Sequence, residues 1–440
     1  MQTSLPPKRI TTTILTALKG GVVPRVGLEY IAVGRDREID ALLTDIERVA
    51  EGGASFRFIV GRYGSGKSFL LQTIRNYAVE RGFVVMDADL SPERRFAGGK
   101  GQGVATYREL VNNLSTKTRP DGGALPLILE RWISGLQQQT KESLGESGET
   151  LTAGRLHQAL QQRILQVTAE LEGMVNGFDF ARAMQLYVQA YETDDADLKS
   201  SVLRWFRGEY NTRTEARQEL GIHAIVTDDN WYDYMKILAR FAVLAGYRGM
   251  LVIVDELINI FKITHTATRQ NNYEKILTMY NDVLQGKARH IGFLLGATPQ
   301  CIEDKYKGVF SYEALRSRLA DSRFAGQDTK DLLSPLIRLS LLTPEEIYVL
   351  LEKLAQMHGQ MYGYSSQLSA EDLQLFLNVA YNRVGATTLI TPREIIRDFI
   401  DLLDLLQQNP GQTLPGLLEN GGFTTAEAPP ADDPFTTFEL

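Results

Sequence analysis

Apolar residues along this chain follow two different patterns. In residues 35 to 51, RDREIDALLTDIERVAE, Ile39, Leu42, Leu43 and Ile46 recur every three or four positions, the spacing of an amphipathic helix. Residues 7 to 20, PKRITTTILTALKG, also read as a helix, stopped by Gly20-Gly21. Elsewhere the apolar residues run unbroken. Phe56 to Val60, Phe83 to Met86, Leu251 to Asp255 and Ile291 to Thr298 are expected strands, and pure apolar runs among them such as LVIV and GFLL suit a parallel sheet covered on both faces. A further short strand is expected in LIRLSLL, after Pro335. Helices are expected at 68 to 81, at 273 to 284 and through most of 105 to 245. FAGGKGQG, 96 to 103, reads as a flexible glycine loop. Beyond it, three helices open near Thr343-Pro344, Ser369-Ala370 and Thr391-Pro392. Each Thr-Pro pair offers an N-cap followed by proline at the first helical position. From Gln408 onward, with Pro415, Pro429, Pro430 and Pro434, the chain reads as disordered.

Composition narrows the class. No run of eighteen apolar residues exists, so no membrane span is expected, and the first fifteen residues lack an export signal. Cys301 is the only cysteine, which excludes an internal disulfide and a cysteine-based zinc site. A cytoplasmic protein fits these features. Net charge is −7, from 47 basic and 54 acidic residues. Five of the acids, Glu419, Glu427, Asp432, Asp433 and Glu439, fall in residues 411 to 440, which hold no base. The chain therefore lacks the global basic signature of a nucleic-acid binder, though a local basic patch is not excluded.

One segment carries recognisable chemistry. Gly61-Arg62-Tyr63-Gly64-Ser65-Gly66-Lys67-Ser68 fits G-x-x-x-x-G-K-[ST] and lies between an expected strand and an expected helix. Gly64 and Gly66 let the backbone curl so that N–H groups face phosphate oxygens, and the helix N-terminus adds its positive end. Lys67 would reach the β and γ phosphates of ATP, and the Ser68 hydroxyl would ligate Mg²⁺. Gly61 through Ser68, with Phe69 beside them and Gly34-Arg35 upstream, are the candidate nucleotide-binding residues. The second element is LVIVDE. Asp255 is a candidate Mg²⁺ ligand and Glu256 a candidate general base for water. The third is Thr298, either a γ-phosphate sensor at a strand end or an N-cap before Pro299. The fourth is the cluster Arg316, Arg318 and Arg323, either reaching a neighbouring subunit's nucleotide or solvated on a helix face. The fifth is Arg393, either a second sensor or the partner of a nearby acid.

In this order the motifs resemble an AAA+ ATPase of the origin-recognition and helicase-loader type. Longer phrases sharpen the likeness. GGVVP, VGRDREID, FIVGRYGSGKSFLL, DADLSPERR, GGAL, LAGYRGMLVIVDEL, NNYEKILTMYNDVLQG, YEALRSRL and TPREIIRDF are similar to the P-loop family containing BrxD, the ATP-binding protein of BREX phage-defence systems. The similarity covers about residues 8 to 405. It implies an additional-strand α/β fold, with an ATPase domain over 1 to 340 and a helical lid over 341 to 410; a disordered acidic tail over 411 to 440 is read from the residues and departs from the origin-recognition pattern. It also implies Mg²⁺-dependent ATP hydrolysis that assembles or remodels a defence complex, with a helicase-like partner, DNA and a homo-oligomer holding ATP at its interfaces. Compared with compact modules the chain departs in spacing, since 188 residues separate Lys67 from Asp255. The excess is the helical stretch from about 100 to 240, the expected place of a partner or DNA surface.

Other readings stay open at this level. The chain could be a nucleotide-gated switch that binds ATP with little hydrolysis, or a passive scaffold. Arg94, Arg95 and Lys100 could touch a DNA backbone or simply be solvated. Trp132, Trp205 and Trp231 read as core rather than as base-stacking platforms. The terminal DDPFTTFEL reads as plain disorder or as a docking peptide.

Overall fold

A computed structural model describes residues 5–146, 153–320, 331–364, 368–382 and 391–419. The chain divides into two compact units, neither continuous in sequence. One comprises Glu38–Val60 and Ile74–Arg338, the other Met1–Arg37, Gly61–Thr73 and Leu339–Leu440.

The first unit is built on a sheet. Its strands are β1 (Ala54–Val60), β2 (Val84–Asp89), β3 (Met250–Asp255), β4 (Ile291–Ala297) and β5 (Leu336–Arg338). These five strands pair with one another in parallel, in the order β2-β3-β4-β1-β5. β3 and β4 are buried almost throughout, as their unbroken apolar sequences require. β4 lies between β1 and β3, so an additional strand separates the strand before the glycine loop from the strand ending in Asp255. This α/β topology is the fold class expected for an additional-strand P-loop ATPase. The expected strand LIRLSLL is shorter than its apolar run, because only Leu336–Arg338 pairs with β1.

Between β2 and β3 the described residues form seven helices, from Gln102–Asn112 to Trp231–Leu244. Trp132, Trp205 and Trp231 are each 1% exposed and belong to the main core. Trp205 meets the Tyr234 ring at 5.5 Å, and Trp132 meets Phe241 at 5.7 Å. The expectation of a flexible loop at 96–103 is corrected. Asn272 Oδ1 accepts the N–H groups of Phe96 and Ala97 at 2.9 and 3.0 Å. Asp228 accepts those of Gly101 and Val104 at 2.9 and 3.0 Å. Phe96 also stacks on Trp231. Arg94 is likewise engaged, 3.3 Å from Glu109.

The second unit is helical. Lys8–Lys19 packs with Pro344–Tyr362 and Pro392–Gln408 around Ile14, Leu351, Leu354, Phe376 and Phe399. Thr343 and Thr391 each close a capping box with a glutamate three residues on. Disorder from Gln408 is corrected in part: Leu414–Glu419 forms a short helix whose Leu414 is buried. The rest of the expected tail, 420–440, lies outside the described residues.

Candidate functional site

The candidate residues fall into two groups, one in each unit. β1 ends at Val60, and the chain passes at Gly61 into the glycine loop. Gly64 and Gly66 take φ of 76° and 85°, the left-handed region that a side chain disfavours. The helix Lys67–Glu80 opens immediately, and the Leu70 N–H bonds to Gly66 O at 2.9 Å. The N–H groups ahead of Leu70 have no acceptor within that helix, and its positive end lies at the loop. Nothing stands within 4 Å of a Cβ built on Gly66, so space is open beside the loop. Lys67 Nζ donates to Gly61 O at 2.9 Å and to Arg62 O at 3.1 Å, 5.3 Å from the Tyr63 ring centre. Arg62, Tyr63 and Ser68 are exposed, whereas Ser65 is buried. Gly61 is required by crowding: a Cβ there would strike Ser65 Oγ and lie 3.3 Å from Leu339 Cβ.

The loop is braced by residues distant in sequence. Arg35, 4% exposed, donates to Ser65 O at 2.8 Å and to Ser340 O at 2.6 Å. Its guanidinium therefore ties the loop backbone to Ser340. Gly34 has φ of 67°, and a Cβ on it would overlap the Glu346 carboxylate that caps the helix Pro344–Tyr362. Phe69 packs, half-buried, against the helical core. At the loop apex, a Cβ on Gly64 would stand 2.5 Å from Thr391 Cβ. Thr391 is the N-cap of the helix whose second residue is Arg393, so the structure brings this arginine's helix end to the glycine loop. The Arg393 side chain is exposed.

In the sheet unit, the carboxyl ends of the strands line up. Val60 is opposite Ala297, Val254 is opposite Leu295, and Asp89 is opposite Asp255. Asp255 and Thr298 thus end adjacent strands at one edge. Glu256 has φ of 60°, a strained conformation for a residue with a side chain, and its N–H donates to Asp255 Oδ1 at 2.8 Å. Asn259 Nδ2 holds the turn through Leu90 O at 2.8 Å. Thr298 caps Pro299–Glu303, its Oγ1 accepting the Cys301 N–H at 3.3 Å. Arg316 and Arg318 are exposed on Glu313–Leu319. Arg316 lies 3.7 Å from Glu313, and Arg318 donates to Ala314 O at 2.8 Å. Arg323 lies outside the described residues.

Asp89 was not singled out by sequence. Its side chain is exposed at the strand end, yet partial loss of surrounding water, then the charges of Asp255 and Asp87, raises its carboxyl above the usual range. The signal that could have found it is the acid closing VVMDAD, a parallel neighbour of the strand closed by Asp255.

The residues fit a nucleotide phosphate: a loop curled by two left-handed glycines, a helix N-terminus and a lysine beside it. Among the described residues, no group of three or more His, Cys, Asp or Glu is arranged to hold a metal by itself.

The family model described as BREX system ATP-binding protein BrxC/D matches residues 7–420. Among solved structures, domain III of the Thermotoga maritima replication initiation protein DnaA is similar over 95% of this chain and 98% of that chain, at 12% identity. Its TM-score is 0.35. No curated protein sequence matches the chain.

Proposed function

The chain belongs to the family of BREX system ATP-binding proteins, BrxC/D, and on that premise we propose that it is a BrxD-type, Mg²⁺-dependent ATPase. Its turnover would drive assembly or remodelling of an anti-phage defence complex together with a helicase-type partner and DNA. The observation that carries this reading is the strand order. The additional strand β4 separates the glycine-loop strand β1 from β3, which ends in Asp255-Glu256.

In this reading the loop N–H groups and Lys67 bind the phosphates, with Arg35 keeping the loop backbone in shape. Ser68 and Asp255 are the proposed Mg²⁺ ligands, and the ion when bound would neutralise charge developing on the transferring phosphoryl group. Glu256 is the proposed base, accepting a proton from the attacking water. Its strained backbone supports the assignment, because strain of this kind gathers at functional turns. Thr298 would orient that water through its hydroxyl proton, its oxygen being the helix cap. Arg393 would sense the γ-phosphate from the lid helix.

The test is Glu256→Gln. ATP should still bind with an affinity near wild type, while steady-state turnover drops by roughly 10²- to 10⁴-fold, the usual weight of a general base. Turnover equal to wild type would remove Glu256 from the mechanism. Lys67→Ala should abolish binding of ATP in the same titration. Retained binding would reject the loop as the phosphate site.

A further inference from the structure

We propose that the turn Asp304 to Gly308 is a contact surface for single-stranded nucleic acid, with Tyr306 as a base-stacking platform and Lys305 and Lys307 as phosphate contacts. Tyr306 is 87% exposed, more than any other large apolar side chain among the described residues. Lys305 and Lys307 on either side are exposed as well.

The turn is rigid. Asp304 Oδ1 accepts the N–H groups of both Tyr306 and Lys307, each at 2.7 Å. The Gly308 N–H donates to Asp304 O at 2.9 Å. The Tyr273 hydroxyl, from the helix Thr266–Leu284, donates to Lys307 O at 2.6 Å. Ser311 Oγ donates to Gly308 O at 2.6 Å. A Cβ at Gly308 would stand 2.7 Å from Asp304 O, so the closure depends on glycine. A backbone ordered this firmly holds the tyrosine in water before any partner arrives, which lowers the entropy lost on binding.

Charge points to the partner. The two acids leading into the turn are engaged: Glu303 with Arg338 at 2.7 Å, and Asp304 with the turn itself. From 305 to 319 the chain carries Lys305, Lys307, Arg316 and Arg318 against Glu313 alone, within a protein of net charge −7. A protein-docking patch would surround its aromatic anchor with apolar neighbours and few lysines. An aromatic ring between cations fits a base stacked on the ring with backbone phosphates beside it. The ring needs an unpaired base to stack on, which favours single strands over duplex.

The inference rests on the DNA part of the reading above and is independent of hydrolysis. The experiment is fluorescence anisotropy of a labelled oligothymidylate of roughly 20 nucleotides, long enough for such sites, with the full chain, with and without a slowly hydrolysed ATP analogue. Tyr306→Ala should weaken binding roughly five- to a hundred-fold, the weight of one lost stack, while Tyr306→Phe stays near wild type. Removing both lysines should shallow the salt dependence of log affinity by roughly 0.7 per lysine. DNA-free ATP turnover of all three variants should match wild type, which reports that they fold. Unchanged DNA affinity in Tyr306→Ala overturns the inference and leaves the DNA reading intact. Duplex bound as tightly as single strand overturns stacking. Wild-type protein that binds no DNA overturns both this inference and the DNA part of the proposed function. Loss of self-association in Tyr306→Ala with DNA affinity intact marks the turn as a protein contact and overturns it too.

Discussion

At Gly64 two demands fall on one residue. Its φ of 76° disfavours any side chain by roughly 1–2 kcal/mol, and a Cβ would collide with Thr391. Gly64→Ala should therefore lower the melting temperature by a few degrees and weaken ATP binding at least tenfold, read by thermal shift and calorimetric titration. Equal affinity would mean the loop relaxes without losing its phosphate geometry. Asp89 makes the opposite case. Its raised pKa means the folded state binds a proton more readily than the unfolded chain, so stability falls as pH rises through the carboxylate range. Asp89→Asn removes that penalty. It should raise the melting temperature above pH 5, with the gain vanishing below about pH 4. If Asp89, which lies opposite the proposed Mg²⁺ ligand Asp255, shares in the site, the same variant should lose ATPase activity. A stabilised variant with full activity would leave Asp89 outside the site. The glycine loop was legible in the sequence because its determinants are adjacent along the chain. The bracing role of Arg35 was not, because its two carbonyl partners lie 30 and 305 residues away.

Elements were legible where their signals are local. Thr343 and Thr391 announce helices because cap, proline and returning glutamate sit within four positions. The helix Thr266–Leu284 was read as starting at Tyr273, since its cap is His265, a residue outside the usual capping set. The 96–103 loop was misread because glycine content reports freedom in the unfolded chain, whereas Asn272 and Asp228 supply the order from afar. A similar long-range tie holds the helical unit. His358, 1% exposed, bonds Asp404 Oδ1 through Nε2 at 2.9 Å, and Lys19 bonds Asp404 Oδ2 at 2.5 Å. Burial opposes ionisation of Asp404, but these two donors outweigh it and hold its carboxyl below the usual range. A depressed carboxylate stabilises the fold above its unfolded value and loses that contribution as pH falls through its folded value. Asp404→Asn should destabilise by about 1–3 kcal/mol at pH 7, in urea titrations that follow this helical unit. The gap to wild type should close below about pH 4. A gap independent of pH would assign the loss to packing.

For the whole molecule, sequence order and spatial grouping part company. The first 37 residues and the glycine loop group with the C-terminal helices, because Lys8–Lys19 finds its apolar partners more than 300 residues away. Periodicity reveals which face of a helix is apolar but not which helix covers it, so the membership of each unit was not readable. The same limit applies to assembly. Leu315 and Leu319 turn the helix Glu313–Leu319 inward, which leaves Arg316 and Arg318 outside. Arg318 is exposed and donates to the carbonyl of Ala314, so an anion can reach its guanidinium. If that anion is the nucleotide of a neighbouring copy, self-association should rise with a slowly hydrolysed ATP analogue in light scattering. Arg318→Ala should then keep ATP affinity and assembly while turnover falls at least about 100-fold, in line with arginines supplied in trans. Mixing sharpens the test. When wild-type chains are titrated with a double variant, Lys67→Ala and Arg318→Ala together, each such subunit silences itself and one wild-type neighbour. Activity per wild-type chain should fall with the variant fraction. Constant activity per wild-type chain would mean that each copy completes its own site, and Arg318 would then be a surface arginine.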